Sequence, residues 1–220
     1  MGEDKQLACL VLVGVLPDGT KEVIALQDGY RESTESWLSL LRDLERRGMS
    51  APKLATGDGA LGFWSALRQV YPETEEQHCW VHKIANVLDK LPKRVQPRAK
   101  DTLRVHEIMR APDRQSALAD IKRFSQEFEA RYPKAVDTLT KDQDELLTFF
   151  DFPAEHWIHL RTTNPIESTF STVKVNFPIV PHAIESGGCG ALLVGCEGPT
   201  SLCRTVGYRT DGRPRPERSN

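Results

Sequence analysis

The chain has 220 residues, with 29 Lys and Arg against 31 Asp and Glu, a formal net charge of −2 and 39% hydrophobic content. That suffices to bury one good core with a smaller helical subdomain, and no apolar run reaches the length of a membrane span. Met1 to Lys5 lead into LACLVLVGVL without the basic start and small-residue cleavage site of a signal peptide, so a soluble, cytoplasmic protein is expected. The five cysteines, Cys9, Cys79, Cys189, Cys196 and Cys203, are too unevenly spread for a disulfide framework, and reduced thiols are expected.

Residues 7–16, LACLVLVGVL, form a continuous apolar run. After the turn at Pro17, Asp18 and Gly19, KEVIAL completes a largely buried hairpin. STESWLSLLRDLERRG places Trp37, Leu40, Leu41 and Leu44 at helical spacing, with Ser33 or Thr34 as cap and Gly48 as stop. KLAT, residues 53–56, reads as a short strand. GDGALGFWSALRQVYP reads as a turn and a helix with Leu61, Trp64, Leu67 and Tyr71 inward, and EEQHCW as a further strand. This order predicts an α/β core with a mixed sheet over residues 1–82.

From Lys83 the strand signals stop, and Pro92, Pro97, Pro112 and Pro133 divide residues 83–152 into short helices. The clearest carries Leu118, Ile121, Phe124 and Phe128 on one face. This insertion is basic: between Lys83 and Lys134 thirteen Lys or Arg stand against seven Asp or Glu, a local excess of +6. Residues 153–175 return to aromatic and capped-helix chemistry. Residues 176–220 are rich in Gly, Pro and Cys without periodicity, and disorder is expected there.

Three features carry candidate chemistry. In RTTNPIESTFSTVK, Asn164 is a favoured N-cap, Pro165 suits the first helical position, and Glu167 falls where a carboxylate reaches back to the cap. Glu167 also borders the stripe of Ile166, Phe170 and Val173, so capping and chemistry are compatible. Asp58, in ATGDGALGFW, follows the carboxyl end of a strand, where α/β proteins often place ligand groups, although Asp-Gly is also ordinary turn chemistry. In HCWVH, Cys79 and His82 have the spacing of half a zinc site. His156 and His159 in EHWIH are the one other pair with similar spacing, and buried polar packing is the competing explanation.

Taken in order, DGYRESTESW, GDGALGFW, QHCWVHK, a helical insertion and HWIHLRTTNPIESTFSTV resemble the transposases of bacterial insertion sequences of the mutator type. The resemblance runs from about Asp4 to Lys174. It implies an RNase H-like catalytic core using two aspartates and a glutamate, the DDE set. By motif, Asp58 is similar to the second aspartate and Glu167, 109 positions later, to the glutamate. Cys79 and His82 match the family's C-x-x-H signature, and Trp157 matches a tryptophan upstream of its glutamate. The chain departs from the pattern twice. No residue matches the first aspartate, normally on the first, central strand: Asp4 precedes the first apolar run on the wrong strand, and Asp18 and Asp28 lie in turn-like contexts. Without that strand, its neighbours would have unpaired edges. After Val175 the family's basic helical sequence gives way to the Gly/Pro/Cys tail, as a frameshift would produce.

The implied chemistry is DNA strand cleavage and transfer, with Mg²⁺ or Mn²⁺ held by the acids, Asp58 and Glu167 here, because hard divalent cations prefer carboxylate oxygens. The implied partners are the terminal inverted repeats of the element and further copies of the transposase, with no membrane. Trp157 would stack on an unpaired base if exposed, or pack as a core tryptophan. Lacking a match to the first aspartate, this chain is expected to be a truncated, inactive remnant. The alternative is a fragment that binds DNA, through Lys93, Arg94, Arg98, Lys100 and Arg104, or binds an intact transposase and inhibits it without catalysis.

Overall fold

The computed structural model describes residues 8–15, 21–29, 33–59, 61–106, 108–163 and 189–195. Strands β1 (Ala8–Val15) and β2 (Lys21–Gly29) form the expected antiparallel hairpin, with a register shift between Leu12 and Val13. The unbroken apolar run of β1 is explained by burial on both faces. Leu10 and Leu12 join the cluster that contains Trp37 and Leu41, while Val11 and Val13 pack on the opposite side. Helix α1 (Thr34–Arg46) begins at Ser33, whose hydroxyl accepts from the Ser36 N–H at 3.2 Å, and it buries Trp37, Leu40, Leu41 and Leu44. It stops at Gly48, whose φ of 93° suits glycine, and the Gly48 and Met49 N–H groups close on the Glu45 and Leu44 carbonyls.

Strand β3 (Leu54–Gly57), helix α2 (Leu61–Val70) and strand β4 (Glu75–His78) follow, with β3 and β4 parallel. Trp64, Leu67 and Tyr71 are buried as their spacing predicts, while the Leu61 side chain lies outside the described residues. EEQHCW is a strand only as far as His78. Cys79 precedes helix α3 (Trp80–Asp89), and the chain turns there because Trp80 is fully buried, its indole N–H donating to the Leu146 carbonyl at 2.9 Å.

Among the described residues of 83–152 the structure is helical: α3 leads to α4 (Gln96–Lys100), a π-helical turn over Asp101–His106, α5 (Arg114–Phe128), α6 (Pro133–Thr140) and α7 (Gln143–Leu147), and α8 (Trp157–Leu160) follows in the next segment. Pro97 and Pro133 sit in first turns, where the missing N–H costs nothing. Pro112 precedes the cap residue Asp113, whose carboxylate accepts from the Ser116 N–H at 2.7 Å. Helix α5 buries Ile121, Phe124 and Phe128, but Leu118, expected on that face, is exposed. Ala117 completes the stripe instead. Leu54 and Trp80 share one apolar cluster with Phe124, Leu139 and Phe149, so the insertion packs against the sheet.

The tail brings the main correction. Disorder is expected from residue 176, yet Cys189–Val194 form strand β5, and the mixed sheet runs β2-β1-β5-β3-β4. β5 is parallel to β1 and antiparallel to β3, so the edges expected to lack partners are paired. CGALLV is short, apolar and flanked by glycine, a buried-strand pattern easily hidden within a Gly-rich segment. Ala191 and Leu193 sit in the core, the Lys53 N–H donates to the Val194 carbonyl at 2.9 Å, and the N–H of Gly195, with φ 72°, donates to the Val15 carbonyl at 2.9 Å. Residues 176–188 and 196–220, together with Asp4 and Asp18, lie outside the described residues. Among the described residues, no helix is long and apolar enough to cross a membrane.

Candidate functional site

Asp58 stands where β3 ends. Gly57 before it is closely packed: a Cβ there would lie 3.1 Å from the Trp64 ring and 3.4 Å from that of Phe63, so a side chain would push on both rings. Gly59 after it has φ 87°, which turns the chain away. Asp58 is thereby held, half-buried, at the carboxyl end of β3 beside the parallel end of β4.

Cys79, just past β4, joins this strand end to the segment preceding Glu167. Its N–H donates to the Gly57 carbonyl at 2.7 Å. Its buried sulfur accepts from the Thr163 N–H at 3.3 Å and lies 3.3 Å from the Thr163 hydroxyl. Burial pushes the Cys79 thiol up, but hydrogen bonds from the His82 side chain and Thr163 outweigh it and hold the thiol below its ordinary value. Two further bonds lie along the same seam. The Thr56 hydroxyl donates to the Leu160 carbonyl at 2.8 Å, and the Trp80 N–H to the Arg161 carbonyl at 3.0 Å. Nothing in the sequence singles out Thr56 and Thr163. Threonine in a strand or before a helix looks ordinary, and the C-x-x-H signature suggests metal before it suggests a sulfur acceptor.

The zinc alternative is not gathered. Among the described residues no group of three or more His, Cys, Asp and Glu is placed to hold a metal ion, and His156 and His159 are exposed while Cys79 is buried. Trp157 is half-buried. Its ring meets Phe150 edge-on at 4.7 Å and Phe149 at 5.8 Å, and its N–H donates to the Phe152 carbonyl at 2.7 Å, which gives it a packing partner on its own chain.

A buried charge cluster ties β4 to the insertion. The Lys83 ammonium donates to the Asp142 carboxylate and, at 3.2 Å, to the Thr138 carbonyl, while His78 Nδ1 lies 3.6 Å from Asp142. Burial pushes the His78 imidazole below its ordinary value, with Asp142 opposing. For Asp142 burial acts upward, but Lys83 prevails and holds the carboxyl below its ordinary value.

Of the basic residues, Lys93, Arg94, Arg98 and Lys100 are exposed on α4 and the loop before it, with Arg98 paired to Glu127 at 2.7 Å. The Arg104 side chain and all of Glu167 lie outside the described residues. Asp58 carries the carboxylate oxygens that a hard cation prefers and stands half-buried at the strand end.

Residues 2–182 match the family described as Transposase, Mutator family. The chain is 57% identical over 173 residues to the transposase for insertion sequence element IS6120 of Mycolicibacterium smegmatis, covering 79% of this chain and 53% of that relative. It is 55% identical over 174 residues to the transposase for IST2 of Acidithiobacillus ferrooxidans, covering 79% and 58%. To the transposase for ISRM5 of Rhizobium meliloti it is 32% identical over 160 residues, covering 73% and 40%. The chain thus spans about half the length of the two more similar of these curated relatives. Together, the match over residues 2–182 and these identities establish that the chain belongs to the Mutator family of transposases.

Proposed function

We propose that the chain is the body of the catalytic core of an insertion-sequence transposase, RNase H-like in fold, in which Asp58 and Glu167 are two of the three carboxylates of a DDE set. The observation that carries this reading is the Cys79 junction: it fastens Thr163, four positions before Glu167, to the strand end that presents Asp58. Four residues span at most about 14 Å, a length that would let Glu167 reach that end. A hairpin followed by a parallel strand-helix-strand unit, with the helical insertion entering after β4, supports the RNase H-like assignment.

In this reading Asp58 and Glu167 would hold Mg²⁺ or Mn²⁺, which when bound would activate water or a 3′ hydroxyl and stabilise the leaving oxygen of a phosphodiester. The chain's own residues hold the Asp58 carboxylate at the carboxyl end of β3, and Glu167 would join it there. Lys93, Arg94, Lys100 and, more weakly, Arg98 would neutralise backbone phosphates of the element's terminal repeats. Intact transposases of this kind would act on those repeats as homo-oligomers.

No residue among the 220 matches the first aspartate, so by itself this chain is proposed to bind DNA without cutting it. The exposed basic residues favour the related reading of a DNA-binding fragment that inhibits an intact transposase. The test is incubation of the purified chain with Mg²⁺ or Mn²⁺ and DNA carrying the element's ends. Salt-dependent binding without nicks is expected. Nicking that disappears in Asp58→Ala would overturn the inactivity, and absence of any binding would overturn the DNA interface.

A further inference from the structure

We infer that Cys79 and Thr163 are positioning residues: through them the C-x-x-H motif pins Thr163 to the strand end that carries Asp58, and its cysteine serves as a hydrogen-bond acceptor. The inference rests on the reading of Asp58 and Glu167 as metal-binding acids. The geometry is specific to Cys79. Its N–H grips the Gly57 carbonyl, and that carbonyl belongs to the same rigid peptide plane as the Asp58 nitrogen. Fixing one end of the plane fixes where Asp58 starts. The sulfur of the same residue accepts the Thr163 N–H and meets its hydroxyl, both at 3.3 Å, and Cys79 and Thr163 are 1% and 4% exposed. A backbone N–H buried so deeply needs a partner, and the sulfur is the one it has.

His82, one helical turn on, completes the device from the other side. Hydrogen bonds from its side chain and from Thr163 hold the thiol below its ordinary value, the direction expected of a sulfur that accepts them. The arrangement assigns the motif's cysteine and histidine a joint role without a zinc ion. It also explains their spacing, since Cys79 caps α3 and His82, three residues on in its first turn, can reach the Cys79 sulfur. The Thr56–Leu160 and Trp80–Arg161 bonds hold the same segment but reach neither Asp58's own peptide nor the residue nearest Glu167.

The test compares the full chain with Cys79→Ala, Thr163→Val and Thr163→Ser by Mn²⁺ titration and by amide hydrogen exchange, circular dichroism showing which variants are folded. Cys79→Ala and Thr163→Val are expected to weaken Mn²⁺ binding by roughly 10–100-fold, the usual loss when a support of a ligand is removed. Both should also raise exchange across residues 160–163 while leaving α5 unchanged. Thr163→Ser, which keeps the hydroxyl that Thr163→Val loses, should bind and exchange like the parent. Should Cys79→Ala fail to fold, the Thr163→Val and Thr163→Ser pair decides the matter. Folded variants with unaltered Mn²⁺ affinity, or unaltered exchange at 160–163, overturn the inference alone. A parent chain whose Mn²⁺ binding is indifferent to Asp58→Ala overturns the metal site and the inference with it.

Discussion

Thr56 and Leu160, 104 positions apart, are joined by a buried hydrogen bond of 2.8 Å from the threonine hydroxyl to the leucine carbonyl. The bond fastens the strand leading to Asp58 to the end of α8. Thr56→Val keeps the shape but leaves that carbonyl without its donor, which should cost about 1–3 kcal/mol. Urea denaturation should show a lower midpoint with an unchanged slope, and Thr56→Ser should recover most of the loss.

The insertion is locked to β4 by the His78, Lys83 and Asp142 cluster, and this makes stability depend on pH. The folded-state pKa of His78 lies below its ordinary 6.5 and that of Asp142 below 3.8. In both cases the unfolded chain binds the proton more readily, so the stabilisation is present above the ordinary pKa and is lost as pH falls through the folded one. The melting temperature should therefore drop in two stages on acidification, the first beginning near 6.5 and the second near 3.8. His78→Gln should remove the first stage and leave the second.

The central position of β5 predicts that the tail matters to the fold. Leu193 is fully buried between β1 and β3, and Leu193→Ala should cost about 2–5 kcal/mol. A disordered tail would make the substitution silent, so thermal unfolding of this one variant separates the two cases.

DNA affinity should follow the exposed charges. Replacing Lys93, Arg94 and Lys100 together by Ala should flatten the dependence of log affinity on log salt by up to about 0.9 for each phosphate that is no longer neutralised. Arg98→Ala should change the slope less than Lys93→Ala, because Glu127 at 2.7 Å already shares the Arg98 charge. Fluorescence anisotropy on labelled duplex at several salt concentrations reads both effects.

Legibility in the sequence follows the range of the forces involved. Helix α1 is readable from Ser33, its leucine stripe and Gly48 because caps and stripes are local, and the hairpin is readable from an apolar run and a turn. The Leu118 face is misleading because α5 packs toward the core through Ala117, and small residues carry little hydrophobic signal. Strand β5 escapes a sequence reading because its partners, β1 and β3, lie far away in the chain and a Gly-rich context masks a six-residue apolar run. At the site, residue type and motif suffice to single out Asp58 and Cys79. What Cys79 does is not legible, since its bond to Thr163 spans 84 positions and joins a sulfur to a threonine, a pairing without a sequence signature.

Asp58 and Glu167 sharing one metal site is best tested by Mn²⁺ titration of the parent chain, Asp58→Ala, Glu167→Ala and the double variant, monitored by electron paramagnetic resonance. A shared site predicts that each single substitution removes the same class of bound Mn²⁺ and that the double variant is no worse than either, as residues acting on one ligand are non-additive. Losses that simply add, or a site that survives either substitution, would contradict it.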